Sequence, residues 1–426
     1  MPEQSTQRGR SPVTRQVIAW ALYDWGNSAF ALSVMAVLYP LFLGSFWSAG
    51  DDGSAVTVRL AWVTGAGSLV VAVSAPLLGT IADVGGYKKR LLTVFALLGA
   101  IMTAALSLVD EGGWPLALGL YLFASVGFHC ANVFYDSLIV DVSKPRHYHL
   151  VSAYGFALGY FGGAALLAVH VWMMLSPATF GFADVTAVIR FAFVSVGIWW
   201  IVFLLPLLWV VRENRPPQSR VGETWQAGYR QLAETFREIR KYKNILLFLI
   251  AYWLYIDGVL TVISMAVNFG QRLGFGSEDL VKALMITNFV AFPATLGFGW
   301  LGHRFGPRRA IYVCLAVYIG VAFWAMFLRE VSQFYIMAIT IGLVQGGVQS
   351  MSRSLYATLI PADKAGEFFG FYNMLGKFAA VLGPILVGLV AMSSEEPKYM
   401  LIVLIPLFVI GAGLLSRVRT DVPATS

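Results

Sequence analysis

The chain has 426 residues, of which 58% are hydrophobic and 12% charged, with a mean hydropathy of +0.71. A soluble globular chain carries about 25% charged residues, so a soluble fold is excluded and membrane spans account for most of the mass. The net charge of +7 raises nucleic acid as a partner, but the basic residues are spread over many loops rather than gathered into one patch, so nucleic acid is not expected to bind.

Residues 1–16 form a polar, basic tail. The apolar run behind it is too long for a signal peptide and lacks a small-residue cleavage site, so it is expected to stay as the first span. Hydropathy gives spans 1 to 6 at 17–43, 60–81, 91–109, 114–141, 150–175 and 190–211. A polar linker follows at 212–244, then spans 7 to 12 at 245–269, 280–301, 309–328, 332–359, 367–392 and 398–416, and a tail at 417–426. Segments of this length cross a hydrocarbon core of about 30 Å as helices. The expected fold is an all-α membrane protein of twelve transmembrane helices in two six-helix bundles, 17–211 and 245–416.

Charge sets the orientation. Most of the 30 Lys and Arg residues fall in the tails, in the linker and in the loops after spans 2, 4, 8 and 10. Only Arg59, Arg190, Arg272, Lys282, Arg329 and Lys398 fall on the other side. The positive-inside rule then places both termini in the cytoplasm. In the linker, Pro216 and Pro217 break the chain, and Trp225, Tyr229, Leu232, Phe236 and Ile239 recur at helical spacing. This predicts an amphipathic helix lying in the interface and strapping the halves together.

The halves repeat. "GTIADVGGYKKR" follows span 2 and "GWLGHRFGPRR" follows span 8: a glycine, four residues later Asp83 or His303, three later Gly86 or Gly306, then paired basic residues. "ALYDWG" in span 1 and "WLYIDG" in span 7 share an L-Y and G frame that sets Asp257 opposite Asp24, one residue further along. "YDSL" and "SRSL" place Asp136 and Arg353 in matching positions near the linker ends of spans 4 and 10.

Polar residues also collect into stripes inside the spans. Asp24, Asn27 and Ser28 share a face of span 1. His129, Asn132 and Asp136 share one of span 4, and Asp257, Thr261, Ser264 and Asn268 one of span 7. Span 10 offers Gln345, Gln349 and Arg353, and span 11 Asn373 and Lys377. A charge at mid-bilayer costs about 2.5 to 3.5 kcal/mol or more, so it persists only against a wet cavity or a partner. Asp24, Asp257 and Lys377 are the deepest by position. Either carboxylate could carry a proton, while Lys377 could hold a substrate carboxylate or phosphate, or pair with Asp257.

The twelve-span repeat with its G-x-x-x-D-x-x-G-x-basic-basic loop resembles the major facilitator superfamily. "WALYDWGNSAF", "YDSLIVDVSKP", "GFALGYFGG" and "SRSLYATLIPADKAGEFFGFYNMLGKFAAVLGP" resemble its branch related to fungal vacuolar amino-acid effluxers of autophagy, over residues 16–416. The resemblance implies two bundles rocking about a central cavity lined mainly by spans 1, 4, 7 and 10. It also implies a conformational latch at Gly79, Asp83, Gly86, Lys88, Lys89 and Arg90, with a second copy at His303, Arg304, Arg308 and Arg309. His303 stands where that copy usually has an acid, which weakens the second latch or makes it sensitive to pH.

No enzyme motif is present: "GFYNMLGKF" at 370–378 has the wrong spacing for a phosphate loop, and HExxH and GxSxG are absent. Cys130 and Cys314 lie in apolar runs and give neither a disulfide framework nor a metal site. The expectation is a secondary transporter without cofactor, a monomer in a bacterial cell membrane. It moves a small polar solute, amino acids first, with protons as coupling ion and export favoured. Its substrate and proton residues are expected at Asp24, Asn27, Asn132, Asp136, Asp257, Gln349, Asn373 and Lys377, with Arg353 gating. The rival readings are a transport-dead sensor or scaffold that uses the linker as its output, and a lipid flippase on the same fold.

Overall fold

A computed structural model describes residues 13–214, 221–237, 239–379, 382–393 and 399–420. The remaining parts of the predicted tails and linker lie outside the described residues. Among these residues eleven helices are long and apolar enough to cross a membrane. They are Arg15–Trp47, Gly53–Gly85, Lys88–Leu108, Trp114–Val142, Pro145–Leu175, Val185–Val210, Lys243–Arg272, Glu278–Phe305, Pro307–Phe327, Val331–Leu359 and Ala362–Val387. In order they are spans 1 to 11 of the sequence reading. Where span 12 was expected, the apolar helix is the shorter Ile402–Ser416. Its α-helical part begins only at Ile405, with Pro406 in the first turn, where a missing N–H breaks no helical bond.

Two spans depart from regular α-helix. Span 1 is α-helical over Arg15–Ala29, then π-helical over Phe30–Leu38 and again over Leu43–Trp47. Span 11 is divided into Ala365–Phe378 and Leu382–Ser393. Gly383 and Pro384 open its second piece, where the missing N–H of proline breaks no helical hydrogen bond.

Glycine and bulky aromatics fit together to hold the helices close, as expected where lipid removes the hydrophobic drive between helices and packing has to supply the contact. Three glycines of span 5, Gly159, Gly162 and Gly163, pack on span 1. A Cβ on Gly159 would press on Ser28 and Asp24, one on Gly162 on Trp25, and one on Gly163 on the Ser28 carbonyl. Trp20 stacks on Tyr135 of span 4 at 4.4 Å. Trp200 of span 6 lies against Phe30 and Phe128 at 5.6 and 5.9 Å.

Between the halves of the chain, span 2 packs along the first piece of span 11, and span 5 packs on spans 8 and 10. The first of these contacts is backbone to backbone: a Cβ on either Gly79 or Gly366 would collide with the other residue's carbonyl. The linker helix, Val221–Arg237, lies on span 2. Of the predicted stripe, two side chains are described on this helix, Tyr229 and Leu232. Gly228 and Thr235 are buried and Leu232 packs on the core, whereas Tyr229 is 70% exposed. Gly228 sits directly over Ile81, where the absence of a side chain lets the helix approach span 2 closely. The side chains of Trp225 and Phe236 lie outside the described residues.

Candidate functional site

A cavity of about 360 Å³ lies between the halves, lined by residues of spans 1, 4, 5, 7, 8 and 10. It runs from Leu280 and Phe334, near the ends of spans 8 and 10 remote from the linker, to a polar floor of Asp24, Asn27, Asn132 and Gln349. Its walls are largely apolar, including Leu32, Ile263, Met337 and Ile341, and the π-helical part of span 1 contributes Ala31, Leu32 and Ala36. A cavity of this size with an apolar wall and a few convergent polar groups is the usual form of a small-molecule site.

The floor is hydrogen-bonded across helices. Ser28 and Tyr135 donate to the Asp24 carboxylate at 3.2 and 3.3 Å. Asn27 donates to Asn132 Oδ1 at 2.6 Å, and Tyr160 of span 5 donates to Gln349 Oε1 of span 10 at 3.2 Å. Asp24 is the only carboxylate in the described lining, and no Lys or Arg lines the cavity with it.

Beneath the floor, toward the linker face, stands Arg353, 2% exposed. It donates to Asp136 Oδ1, Ser152 Oγ and the Ser152 carbonyl, each at 2.9 Å. Its guanidinium lies 4.9, 5.4 and 4.1 Å from the ring centres of Trp20, Tyr135 and Phe156. Cation–π contacts of this kind help a desolvated charge persist. Asp136 also accepts from Asn373 of span 11 at 3.1 Å. One cluster thereby joins spans 1, 4, 5, 10 and 11.

At the linker face, Asp83 accepts from the backbone N–H of Gly366 and Glu367 at 2.9 and 2.8 Å. A carboxylate from span 2 thus occupies the free amides at the start of span 11, where a helix attracts negative charge. Lys88 bridges Asp83 at 3.4 Å and Asp141 at 3.3 Å. Lys89 donates to the Leu208 and Val211 carbonyls, and Arg90 faces the Tyr87 ring at 5.3 Å. Gly86 ends span 2 at φ +65°, a left-handed turn that favours glycine. Just past span 6, Glu213 accepts from the Lys88 and Lys89 amides at 3.2 and 2.8 Å. Burial pushes its carboxyl up from the ordinary range against the opposing pull of those bonds.

The second copy of this loop is built differently. The exposed His303 ring faces His147, at the start of span 5, with centroids 6.1 Å apart. Arg304 faces the Phe305 ring, Arg308 donates to the Val418 carbonyl at 3.0 Å, and Arg309 is exposed. Span 8 therefore meets span 5 as span 2 meets span 11, with an imidazole where the first copy has a carboxylate.

Two sequence expectations are corrected here. Neither Asp257 nor Lys377 lines the cavity, and they do not pair with each other. Asp257 is buried and accepts from the Gly383 N–H at 2.9 Å and the Thr261 hydroxyl at 3.3 Å. Lys377 Nζ lies 2.7 Å from His129 Nε2 on span 4. The division of span 11 is the cause: it frees amides at the start of the second piece, which Asp257 takes. Lys377, at the end of the first piece, meets span 4 instead. Asp136 and Asn373 likewise lie outside the lining, in the cluster below the floor. Asp24, Asn27, Asn132 and Gln349 do meet in the cavity. Sequence reasoning missed Ser152 and Tyr160, since a serine and a tyrosine in span 5 carry no signal until Arg353 and Gln349 are placed against them.

A family model described as "Vacuole effluxer Atg22 like" matches residues 60–146 and 140–423. YxiO of Bacillus subtilis, described as an MFS-type transporter, is 36% identical over 96% of each chain. Autophagy-related protein 22 of Eremothecium gossypii is 25% identical over 93% of this chain and 89% of its own. Among solved structures, the major facilitator proton:xylose symporter XylE superposes with a TM-score of 0.73 at 13% identity, over 95% of each chain.

Proposed function

This chain belongs to the Atg22-like family of the major facilitator superfamily, a multi-pass membrane transporter and not an enzyme, and from that premise we propose that it exports small zwitterionic solutes, amino acids first, in exchange for protons. Two six-helix bundles with cytoplasmic termini rock about the central cavity, in a bacterial cell membrane. The substrate ammonium meets Asp24, and the carboxamides of Asn27, Asn132 and Gln349 take up its carboxylate end. Asp24 alternates between substrate and proton, because one buried carboxylate cannot hold both.

The observation that carries this reading is the position of the Arg353–Asp136 pair directly beneath the polar floor, one partner from each half. A cavity sealed on the linker side by contacts between halves is half of an alternating-access cycle, and parting those contacts supplies the other half. In this state the cavity is accessible from the face remote from the linker. The Asp83 cap on span 11 and the His303 contact on span 5 reinforce closure on the linker side.

Flux in proteoliposomes tests it. Wild-type protein is expected to move a labelled amino acid in response to a pH gradient, and Asp24→Asn to lose that response together with affinity for the substrate ammonium. Equal pH-driven flux by wild type and Asp24→Asn would remove Asp24 from the coupling role. No flux for amino acids, peptides or amines would remove the substrate class.

A further inference from the structure

We propose that His129 and Lys377 form a second proton site, bridging the two halves, which takes up one proton from solvent when the halves part on the linker side. This rests on the alternating-access reading above. It does not rest on Asp24 or on the identity of the substrate.

Lys377 Nζ and His129 Nε2 stand 2.7 Å apart, a hydrogen-bond distance, and belong to span 11 and span 4. Both side chains are cations when fully protonated, so a hydrogen bond between them requires that one nitrogen act as acceptor. Among the described residues no carboxylate lies within ion-pair distance of either. Two like charges so close, half-buried and without a counter-charge, repel strongly. The pair therefore holds one proton between the two nitrogens: the ammonium donates and the imidazole accepts.

The groups around the pair do not change this count. Asp136, two turns along span 4, is bound to Arg353 and Asn373. The Cys130 thiol next to His129 lies 4.0 Å from the Ser74 hydroxyl of span 2. From span 7, the Tyr252 hydroxyl lies where a side chain on Gly376 would meet it, and its ring stacks on Tyr372 at 4.2 Å, while Asp257 is turned to Gly383. The Phe128 ring meets the His129 ring edge to face at 4.8 Å.

His129 and Lys377 continue a register set by their neighbours. Asn373 and Lys377 are one helical turn apart on span 11, opposite Asp136 and His129 on span 4, and Asp83 caps the same helix about two turns beyond. Rocking the halves apart must separate all three contacts. The imidazole then loses its donor and accepts a proton from water, while the ammonium keeps its own, for a net uptake of one. By linkage, acid favours the form open to the linker face and alkali the closed form.

The test is the distance between spin labels on Lys144→Cys and Arg417→Cys, two exposed positions on the linker face, in the full chain in lipid nanodiscs from pH 5 to 8; native Cys130 and Cys314 are buried. With one proton linked, the ratio of open to closed forms in wild type rises by up to about tenfold per pH unit of acidification through the histidine range. His129→Gln lowers that slope by up to one decade per unit. Lys377→Gln lowers it too, because the imidazole can then protonate without separation of the halves. Lys377→Arg, which still donates and stays charged, keeps it. His147 and His303 are present in every variant and cancel in the comparison, and Asp24→Asn leaves the His129-dependent part intact. A wild-type slope retained in both His129→Gln and Lys377→Gln overturns the proposal, as does movement in wild type with no pH dependence. No movement at any pH would overturn alternating access as well.

Discussion

Arg353 of span 10 and Asp136 of span 4 meet at 2.9 Å across the two halves, with the guanidinium enclosed by Trp20, Tyr135 and Phe156. Removing one member of a buried pair leaves the other uncompensated, at a cost of about 3–5 kcal/mol. Asp136→Asn and Arg353→Gln are each expected to lower thermal stability and to expose linker-side residues of spans 4 and 10 to thiol reagents after cysteine substitution. The double variant is expected to lose less than the sum of the two. Full additivity would mean that the residues do not act as a pair.

Asp83 and Gly79 act on the same junction by different means. Asp83→Asn keeps a side-chain oxygen but gives up the charge opposite the span 11 amides and Lys88, a loss of about 1 kcal/mol of closed-state preference. Gly79→Ala places a methyl group against the Gly366 carbonyl, which the backbone can relieve only by moving the helices apart. The alanine variant is therefore expected to shift the closed population more than the asparagine variant. Labels on the loops after spans 2 and 10 would read the difference, and the reverse order would count against backbone contact as the stronger restraint.

Much of this arrangement is written in residue periodicity. His129, Asn132 and Asp136 share one face of span 4 by spacing alone, and all three make polar contacts there, to Lys377, Asn27 and Arg353 respectively. Helical period fixes which residues share a face but not which helix the face meets. Lys377 could therefore be assigned to Asp257 from depth, when the division of span 11 turns it to His129. In the linker helix, Leu232 of the predicted stripe packs on the core while Tyr229 is exposed, and Gly228 lies over Ile81 of span 2, a contact that sequence could not announce because a glycine contributes nothing to a hydrophobic pattern.

His303 faces His147 where the first copy of the loop sets Asp83 on helix amides. A carboxylate at 303 would meet the amino-terminal end of span 5, with Lys144 and Arg146 nearby in the loop before it. His303→Asp is thus expected to favour the closed form by about 0.3–1 kcal/mol at low ionic strength, less in high salt. The label distance across the linker face should shorten in His303→Asp and lengthen again as salt is added. A shift that ignored salt would point to packing rather than charge.

The linker helix touches the junction that must open. Gln231 donates to Glu367 at 2.8 Å, and Lys364 donates to the Thr235 hydroxyl at 3.4 Å, both bonds running to the start of span 11 while the same helix rests on span 2. Glu367 is fully buried, and its Oε1 has no hydrogen-bond partner among the described residues, so Gln231 supplies a large part of its polar contact there. Gln231→Ala is expected to leave the helices intact and to cost the closed state about 1.5–3 kcal/mol, as for a bond to a charged group. Its consequence is faster opening at the linker face, read as increased thiol reactivity of a cysteine placed at Ala82. Glu367→Gln in the same background should recover part of the loss, because a neutral amide is less costly to leave half-satisfied in that position. If Gln231→Ala changes neither reactivity nor flux, the linker only connects the halves and does not restrain them.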